Sequence, residues 1–154
     1  MLDVKTEFLF DLKVDLDWAA AVDVGTTPHG TRRIMYVTGG MLEGPKVNGV
    51  VLPGGGDWPI VRPDGGIVLD VRVAFRTDDG DIIYAYYRGL STIPIDMLGR
   101  ILMGEAVDPS EYYFRTTPVF ETASEKYSWL NRVVAVGIGQ FLPTGVAYKV
   151  YAIL

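Results

Sequence analysis

The chain has 154 residues, with 14 Lys and Arg against 19 Asp and Glu, one His and no Cys. The missing Cys excludes a disulfide scaffold, a thiolate metal site, an iron–sulfur cluster and a thiol nucleophile, and a single His excludes a His-rich metal cage. A net charge of −5 without any basic run argues against general nucleic-acid binding, which relies on clustered Lys and Arg to neutralise phosphates. The length suits one domain spanning 1–154, large enough to bury roughly 68–70% of its unfolded surface without staples. The N-terminal segment is acidic where a secretory signal is basic, and no apolar run approaches 18 residues. The expectation is therefore a soluble cytoplasmic domain with no membrane partner.

A period of two dominates the chain. Val4, Thr6, Phe8, Phe10, Leu12, Val14 and Leu16 alternate with Lys5, Glu7, Leu9, Asp11, Lys13 and Asp15, the pattern of a strand with one face buried. Shorter apolar runs follow at Arg33 to Thr38 and Val47 to Leu52. From Ile67 to Arg76, Ile67, Leu69, Val71, Val73 and Phe75 occupy one face, and Val68, Asp70, Arg72, Ala74 and Arg76 the other. Thr77-Asp78-Asp79-Gly80 then separates this strand from an Ile- and Tyr-rich run at Ile82 to Gly89. Asp-Gly between two such runs predicts a tight hairpin, since both residues tolerate positive φ.

Ser91 to Gly104 changes period. Ile95, Leu98 and Leu102 fall at helical spacing, Pro94 suits the first turn and Gly104 a stop, which predicts one short helix. Asp108-Pro109-Ser110-Glu111 reads as a capped single turn, Tyr112 to Phe120 as a strand, and Ser124 to Trp129 as another brief turn. Val133 to Leu142 and Val146 to Leu154, joined by Pro143-Thr144-Gly145, form a final hairpin. The sum is an all-β chain of about eight or nine strands with one or two short helices. Many antiparallel strands manage their edges by closing, so a compact β-barrel holding one small ligand is expected rather than a sandwich.

Several chemical motifs fail on inspection. Gly39-Gly40 and Gly54-Gly55-Gly56 lack the Gly-Lys-Ser/Thr ending of a phosphate loop, so they read as bends and bulges. Asp78-Asp79-Gly80-Asp81 lacks the alternating ligands and distal Glu of a calcium loop. His29 sits in Thr26-Thr27-Pro28-His29-Gly30, a turn with nothing to orient an imidazole base. No Gly-x-Ser-x-Gly elbow is present. No cofactor or metal is called for.

What remains are polar side chains set among aromatic ones. Asp57 and Trp58 follow three glycines and precede Pro59, as in a constrained loop at a barrel mouth. Asp70 and Arg72 share one strand face, Tyr84, Tyr86 and Arg88 the next, and Tyr113 and Arg115 another, with Glu121 beyond and Asn131 closing Trp129-Leu130-Asn131. Read as lumen-facing, these residues line a cavity suited to an oxygenated aromatic or polyketide-like ligand, with Asp57, Asp70 and Arg72 as proton-transfer and polarising groups. Trp58, Tyr84, Tyr86, Tyr113, Arg115, Glu121 and Asn131 would then bind it. The opposite reading has the Asp70 and Arg72 face in solvent, and alternation alone does not decide between them.

Gly39-Gly40-Met41-Leu42-Glu43-Gly44-Pro45, Val51-Leu52-Pro53-Gly54-Gly55-Gly56-Asp57-Trp58, Asp79-Gly80-Asp81-Ile82-Ile83-Tyr84 and Tyr112 to Thr122, continuing through Tyr127 to Asn131, resemble successive motifs of the DUF3237 (UPF0311) family. The resemblance spans nearly the whole chain. It implies a compact antiparallel β-barrel and, by similarity to fungal relatives in natural-product pathways, cofactor-independent hydroalkoxylase chemistry that closes an oxygen ring across a double bond. By motif it points to Asp57, Trp58, Arg115, Glu121 and Asn131 as site residues, while Asp70, Arg72 and Tyr84 are added from strand geometry. Three roles compete: a cofactor-free cyclase, isomerase or lyase; a non-catalytic ligand carrier or sensor; and a structural protein. A homodimer through exposed edges and aromatic patches is compatible with each.

Overall fold

In the computed structural model, which describes residues 2–154, the alternating segments form a single antiparallel sheet. Its strands are β1 (Thr6–Leu16), β2 (Val22–Thr27), β3 (Gly30–Glu43), β4 (Gly49–Val51), β5 (Gly56–Asp57), β6 (Ile60–Val61), β7 (Ile67–Thr77), β8 (Ile82–Ser91), β9 (Phe114–Thr122), β10 (Val134–Leu142) and β11 (Gly145–Ile153), with one helix, α1 (Ile95–Leu102), between β8 and β9. Neighbours run β1, β11, β10, β9, β8, β7, then β4, β5 and β6 as pieces of one interrupted strand, then β3. β3 pairs back to β1 over Asp11↔Glu43 to Leu16↔Val37, which closes an eight-strand barrel and removes its edges. β2 pairs with the first half of β3, in the position that β1 has already left.

The lumen is filled by the apolar set that alternation singles out. Leu12, Val14 and Leu16 of β1, and Leu69, Val71, Val73 and Phe75 of β7, are buried, and Phe10 stacks edge-on against Phe75 and Phe120. At Leu9 the period slips. The register shifts between Phe8 and Phe10, a bulge that lets Leu9 and Phe10 both turn inward. α1 covers one end with Ile101 buried and Met97 and Leu98 against the core, and it stops at Gly104, whose φ of 96° suits glycine.

Some elements depart from expectation. β3 runs straight through Gly39-Gly40, because glycine there permits the close approach of β1 needed for closure. β2 and the short pieces β5 and β6 have too few residues, or too mixed a pattern, to show a period. In the Thr77 hairpin only Gly80 has positive φ (86°), and Thr77 N–H donates to the Asp81 carbonyl at 2.9 Å. Asp79 therefore keeps an ordinary conformation and the turn relies on its glycine alone. The expected turn at 124–129 lies slightly later, at Ser128–Arg132, and Pro109–Glu111 forms the capped turn, with Asp108 accepting from Ser110 N–H at 2.9 Å.

Two glycine substitutions separate packing from propensity. An added Cβ at Gly139 meets the Phe114 ring at 2.5 Å, whereas at Gly99, on the exposed face of α1, it meets nothing within 4 Å. Gly139→Ala is expected to destabilise by about 1–3 kcal/mol, and Gly99→Ala to stabilise by roughly 0.5–1 kcal/mol. Urea denaturation of both variants checks the pair.

Candidate functional site

The interrupted strand places the one buried carboxylate among the described residues. After Gly54, with φ 107°, the chain re-enters the sheet as β5, where Gly56 pairs with Tyr36 and Arg72 and Asp57 pairs with Met35 and Val71. Met35 and Val71 both point inward, so Asp57 does too, and it is 6% exposed. The next rung is altered. Trp58 N–H donates to the Asp70 carbonyl at 3.0 Å, but the Trp58 carbonyl, which a regular ladder would offer to Asp70 N–H, instead accepts from Arg32 Nη1 at 2.7 Å. Asp70 N–H turns to Asp57 Oδ1 at 3.1 Å. The strand break thus fixes the carboxylate's orientation through its own neighbour's backbone.

Asp57 lines a cavity of about 120 Å³ at the end of the barrel beneath α1. The wall is mostly apolar, with Leu16, Met35, Leu69, Phe141 and Val146 from the strands and Leu98 from α1, and its two ionisable groups are Asp57 and Arg33. Burial, with a smaller push from the Asp70 carboxylate, raises the Asp57 carboxyl to about 7, against the downward pull of the Asp70 N–H bond. Among the described residues no Lys, Arg or His forms an ion pair with it. Deeper in the lumen, Tyr87 of β8 and Tyr148 of β11 meet edge to face with centroids 5.3 Å apart. Their hydroxyls are fully enclosed, and burial pushes both phenols upward, with their interaction with each other raising Tyr148 further and the Asp57 charge adding a smaller push. The indole Nε1 of Trp18, also on the cavity wall, is likewise enclosed without an acceptor.

The expectation that the polar strand faces line the lumen is corrected by the register. Ile67, Leu69, Val71, Val73 and Phe75 fill the interior, because burying Asp70 and Arg72 in their place would strand charges in an apolar core. Asp70 and Arg72 therefore stand on the outside, their charged atoms 3.9 Å apart, with Arg72 over the Tyr86 ring at 4.8 Å. Tyr84 and Arg88 share that outer face. Tyr113 and Arg115 form a second outer cation–π pair at 4.8 Å, and Glu121 is exposed. Trp58 is half-buried outside the lumen, its ring over Gly56. Asn131 is a structural pin, since its amide accepts from Thr122 N–H at 2.8 Å and donates to the Thr122 carbonyl at 2.9 Å. Of the ten expected site residues, only Asp57 lines the cavity.

The remaining acidic motif is also structural. Asp79 accepts from Tyr127 and from Lys126 Nζ, and Asp81 accepts from Ser124 Oγ, so this hairpin latches the segment before β10. His29 is exposed in the β2–β3 turn. Among the described residues no group of three or more metal-ligating side chains occurs, and no helix is long and apolar enough to cross a membrane. The cavity residues Arg33 and Trp18, and the deeper pair Tyr87 and Tyr148, all missed from sequence, carry signals only through register: Tyr87 and Tyr148 lie on faces that alternate with less buried neighbours.

Comparison with known proteins gives a consistent picture. The family model described as "Protein of unknown function (DUF3237)" matches residues 4–153. A UPF0311 protein of Clostridium acetobutylicum is 44% identical over 124 residues, covering 80% of this chain and 78% of that protein. A crystal structure of a conserved protein of unknown function from Rhodopseudomonas palustris is 34% identical and covers 100% of both chains, with a TM-score of 0.91. Another, of a β-barrel-like protein from Acinetobacter baumannii AYE, is 39% identical and covers 100% of this chain and 98% of that one, with a TM-score of 0.86.

The state of Asp57 makes stability depend on pH. The folded chain keeps this proton up to about pH 7, while the group's ordinary value is 3.8. Between those values the folded state binds more protons than the unfolded one, so stability falls as pH rises, by roughly 4 kcal/mol over the whole interval. Asp57→Asn keeps an acceptor for Asp70 N–H and removes the titration. Urea denaturation at pH 5 and pH 8 is expected to show the wild type losing about 2–3 kcal/mol more than the variant. Equal losses would mean that Asp57 ionises normally.

Proposed function

We propose that this chain, which belongs to the DUF3237 family, is a small-molecule-binding barrel that acts as a cofactor-independent enzyme, using Asp57 to move a proton on an oxygenated aromatic or polyketide-like compound. The observation that carries this reading is a buried carboxyl, raised to about 7 and unpaired with any cation, on the wall of an apolar cavity. A general acid or base works best when its pKa lies near the working pH, and burial is the usual means of bringing a carboxyl there. A carboxyl with a purely structural role would more often be paired.

The cavity limits what enters. A cavity of about 150 Å³ accommodates one benzene ring, so 120 Å³ admits about one ring, with the rest of a larger substrate lying across the mouth. In a ring closure of the hydroalkoxylase type, Asp57 gives its proton to one alkene carbon. The substrate's own hydroxyl oxygen bonds to the other carbon, and the hydroxyl proton returns to the Asp57 carboxylate. One C–H and one C–O bond form while one O–H and one C–C π bond break, so the product is an isomer of the substrate. Isomerase and lyase variants use the same proton. Asp70 acts as a positioning residue, because its backbone N–H orients the carboxyl. Arg72, Trp58, Tyr84, Tyr86, Tyr113, Arg115 and Glu121 stand outside this cavity, and a role for them requires a substrate that reaches the outer face.

A non-catalytic carrier or sensor is the second reading, favoured by the largely apolar wall and the helix over the cavity. A thermal-shift screen against phenolic and polyketide-like compounds, followed by chromatography and mass spectrometry, distinguishes the two. The enzyme reading expects a stabilising compound that returns with unchanged mass and altered retention, or cleaved in the lyase case. Asp57→Asn should then lower turnover by roughly 10²-fold or more with affinity changed only a few-fold. A compound that stabilises and returns unaltered supports the carrier instead.

A further inference from the structure

Arg32 and Arg33 are neighbours on β3 and point to opposite faces. Arg32 is engaged, donating to the Trp58 carbonyl at 2.7 Å. Arg33 is exposed at the cavity wall, and among the described residues no carboxylate lies within the 4 Å of an ion pair. Its cross-strand neighbour is Asp23, whose Oδ1 instead accepts from Gly25 N–H at 2.9 Å. The cavity therefore has an unpaired guanidinium at its mouth and an apolar body below. Asp57 is level with Met35, two residues further along β3 and roughly 7 Å deeper.

We infer that Arg33 binds an anionic head on the ligand, and that the ligand class is a small aromatic or alicyclic carboxylate whose body enters the lumen towards Asp57. This rests on the reading of the cavity as a ligand site. A carboxylate fits better than a phosphate for two reasons. One guanidinium balances one negative charge, which a carboxylate carries and a phosphate monoester exceeds near neutral pH. One planar fork also engages the two-oxygen head of a carboxylate fully, whereas a phosphate keeps a further charged oxygen unpaired. Arg33 is the one cation on the cavity wall, so a dianionic head would remain half-compensated. The protein carries a net charge of −5, so a dedicated cation at the mouth offsets the general repulsion an anion meets on approach. Trp18, on the same wall, has an enclosed Nε1 that lacks an acceptor, a donor that a small rotation of the indole would offer to the ligand. The spacing sets the ligand's reach, placing the atom that meets Asp57 roughly 7 Å from the carboxylate carbon.

The test uses 3-phenylpropionate and 3-phenylpropan-1-ol, which share a ring and chain length and differ in the charged head. Binding is followed by calorimetry and by NMR shifts. The wild-type protein is expected to bind the carboxylate about tenfold or more tightly than the alcohol. Arg33→Gln should erase that preference while leaving the alcohol's affinity unchanged, and Arg33→Lys should restore part of it. Leu98→Trp, which fills the space beneath α1, should remove both ligands, with circular dichroism confirming that each variant is folded. Equal affinity for the two probes in the wild type, a preference that survives Arg33→Gln, or carboxylate binding unaffected by Leu98→Trp would each overturn the inference. Failure of both probes to bind at millimolar concentration would overturn it together with the cavity reading. Arg33-dependent binding with turnover insensitive to Asp57→Asn would leave this inference standing and remove only the catalytic one.

Discussion

Closure of the sheet through β1 and β3 assigns every strand residue either to a narrow lumen or to solvent. A barrel of eight strands has an interior just wide enough to be filled by side chains, and here Phe10, Phe75, Phe114 and Phe120 are among the buried side chains that fill it. Such a lumen tolerates a charged group only where the strand pattern is broken. The break is the β4–β5–β6 segment, where Gly54-Gly55 and Pro59 interrupt one barrel strand and a single rung, Trp58 opposite Asp70, exchanges one ladder bond for two side-chain bonds. Arg32 takes the carbonyl and Asp57 takes the N–H. The same irregularity that costs the sheet a regular hydrogen bond holds a carboxyl facing an apolar cavity, so the strand defect and the candidate chemistry have one structural cause.

Much of the fold was legible because a period of two is imposed by backbone geometry alone. Ile67 to Arg76 and Val146 to Leu154 show it plainly, and α1 shows the contrary period with its Pro94 start and Gly104 stop. The side of the sheet that faces inward was not legible. Tyr84, Tyr86, Arg72 and Arg115 have the chemistry of ligand-binding residues, yet Arg stacked on Tyr is also what covers the outer face of a sheet, where the guanidinium keeps its water and its flat side buries apolar surface. Only the register decided between them. Asp57 was found from the sequence by its glycines and proline, the marks of a broken strand, although it occupies a two-residue strand rather than a loop. Arg33 carried no local mark, since its position at the mouth depends on closure by β1 and on the β2 hairpin beside it. Asn131 shows the reverse case. It stands within a family motif, and its part in this structure is to clamp Thr122.

The size and polarity of the cavity narrow the chemistry further. Its wall offers one acid and one cation at different depths, and otherwise mostly aliphatic and aromatic side chains. On the proposed reading, an apolar body entering the lumen would displace water that the Asp57 carboxylate otherwise uses for solvation, and an anionic head held at Arg33 would add negative potential from above. Both effects disfavour the charged form and raise the carboxyl beyond its value in the empty barrel. Occupancy and protonation are therefore linked, each favouring the other. On the proposed reading, a filled site would hold Asp57 as a neutral acid at neutral pH, with the two enclosed phenols, themselves pushed upward by burial, deeper in the lumen. Proton donation is then the first step open to this site, and proton return to the carboxylate is the second. That order suits an addition across a double bond better than a reaction that begins by removing a proton.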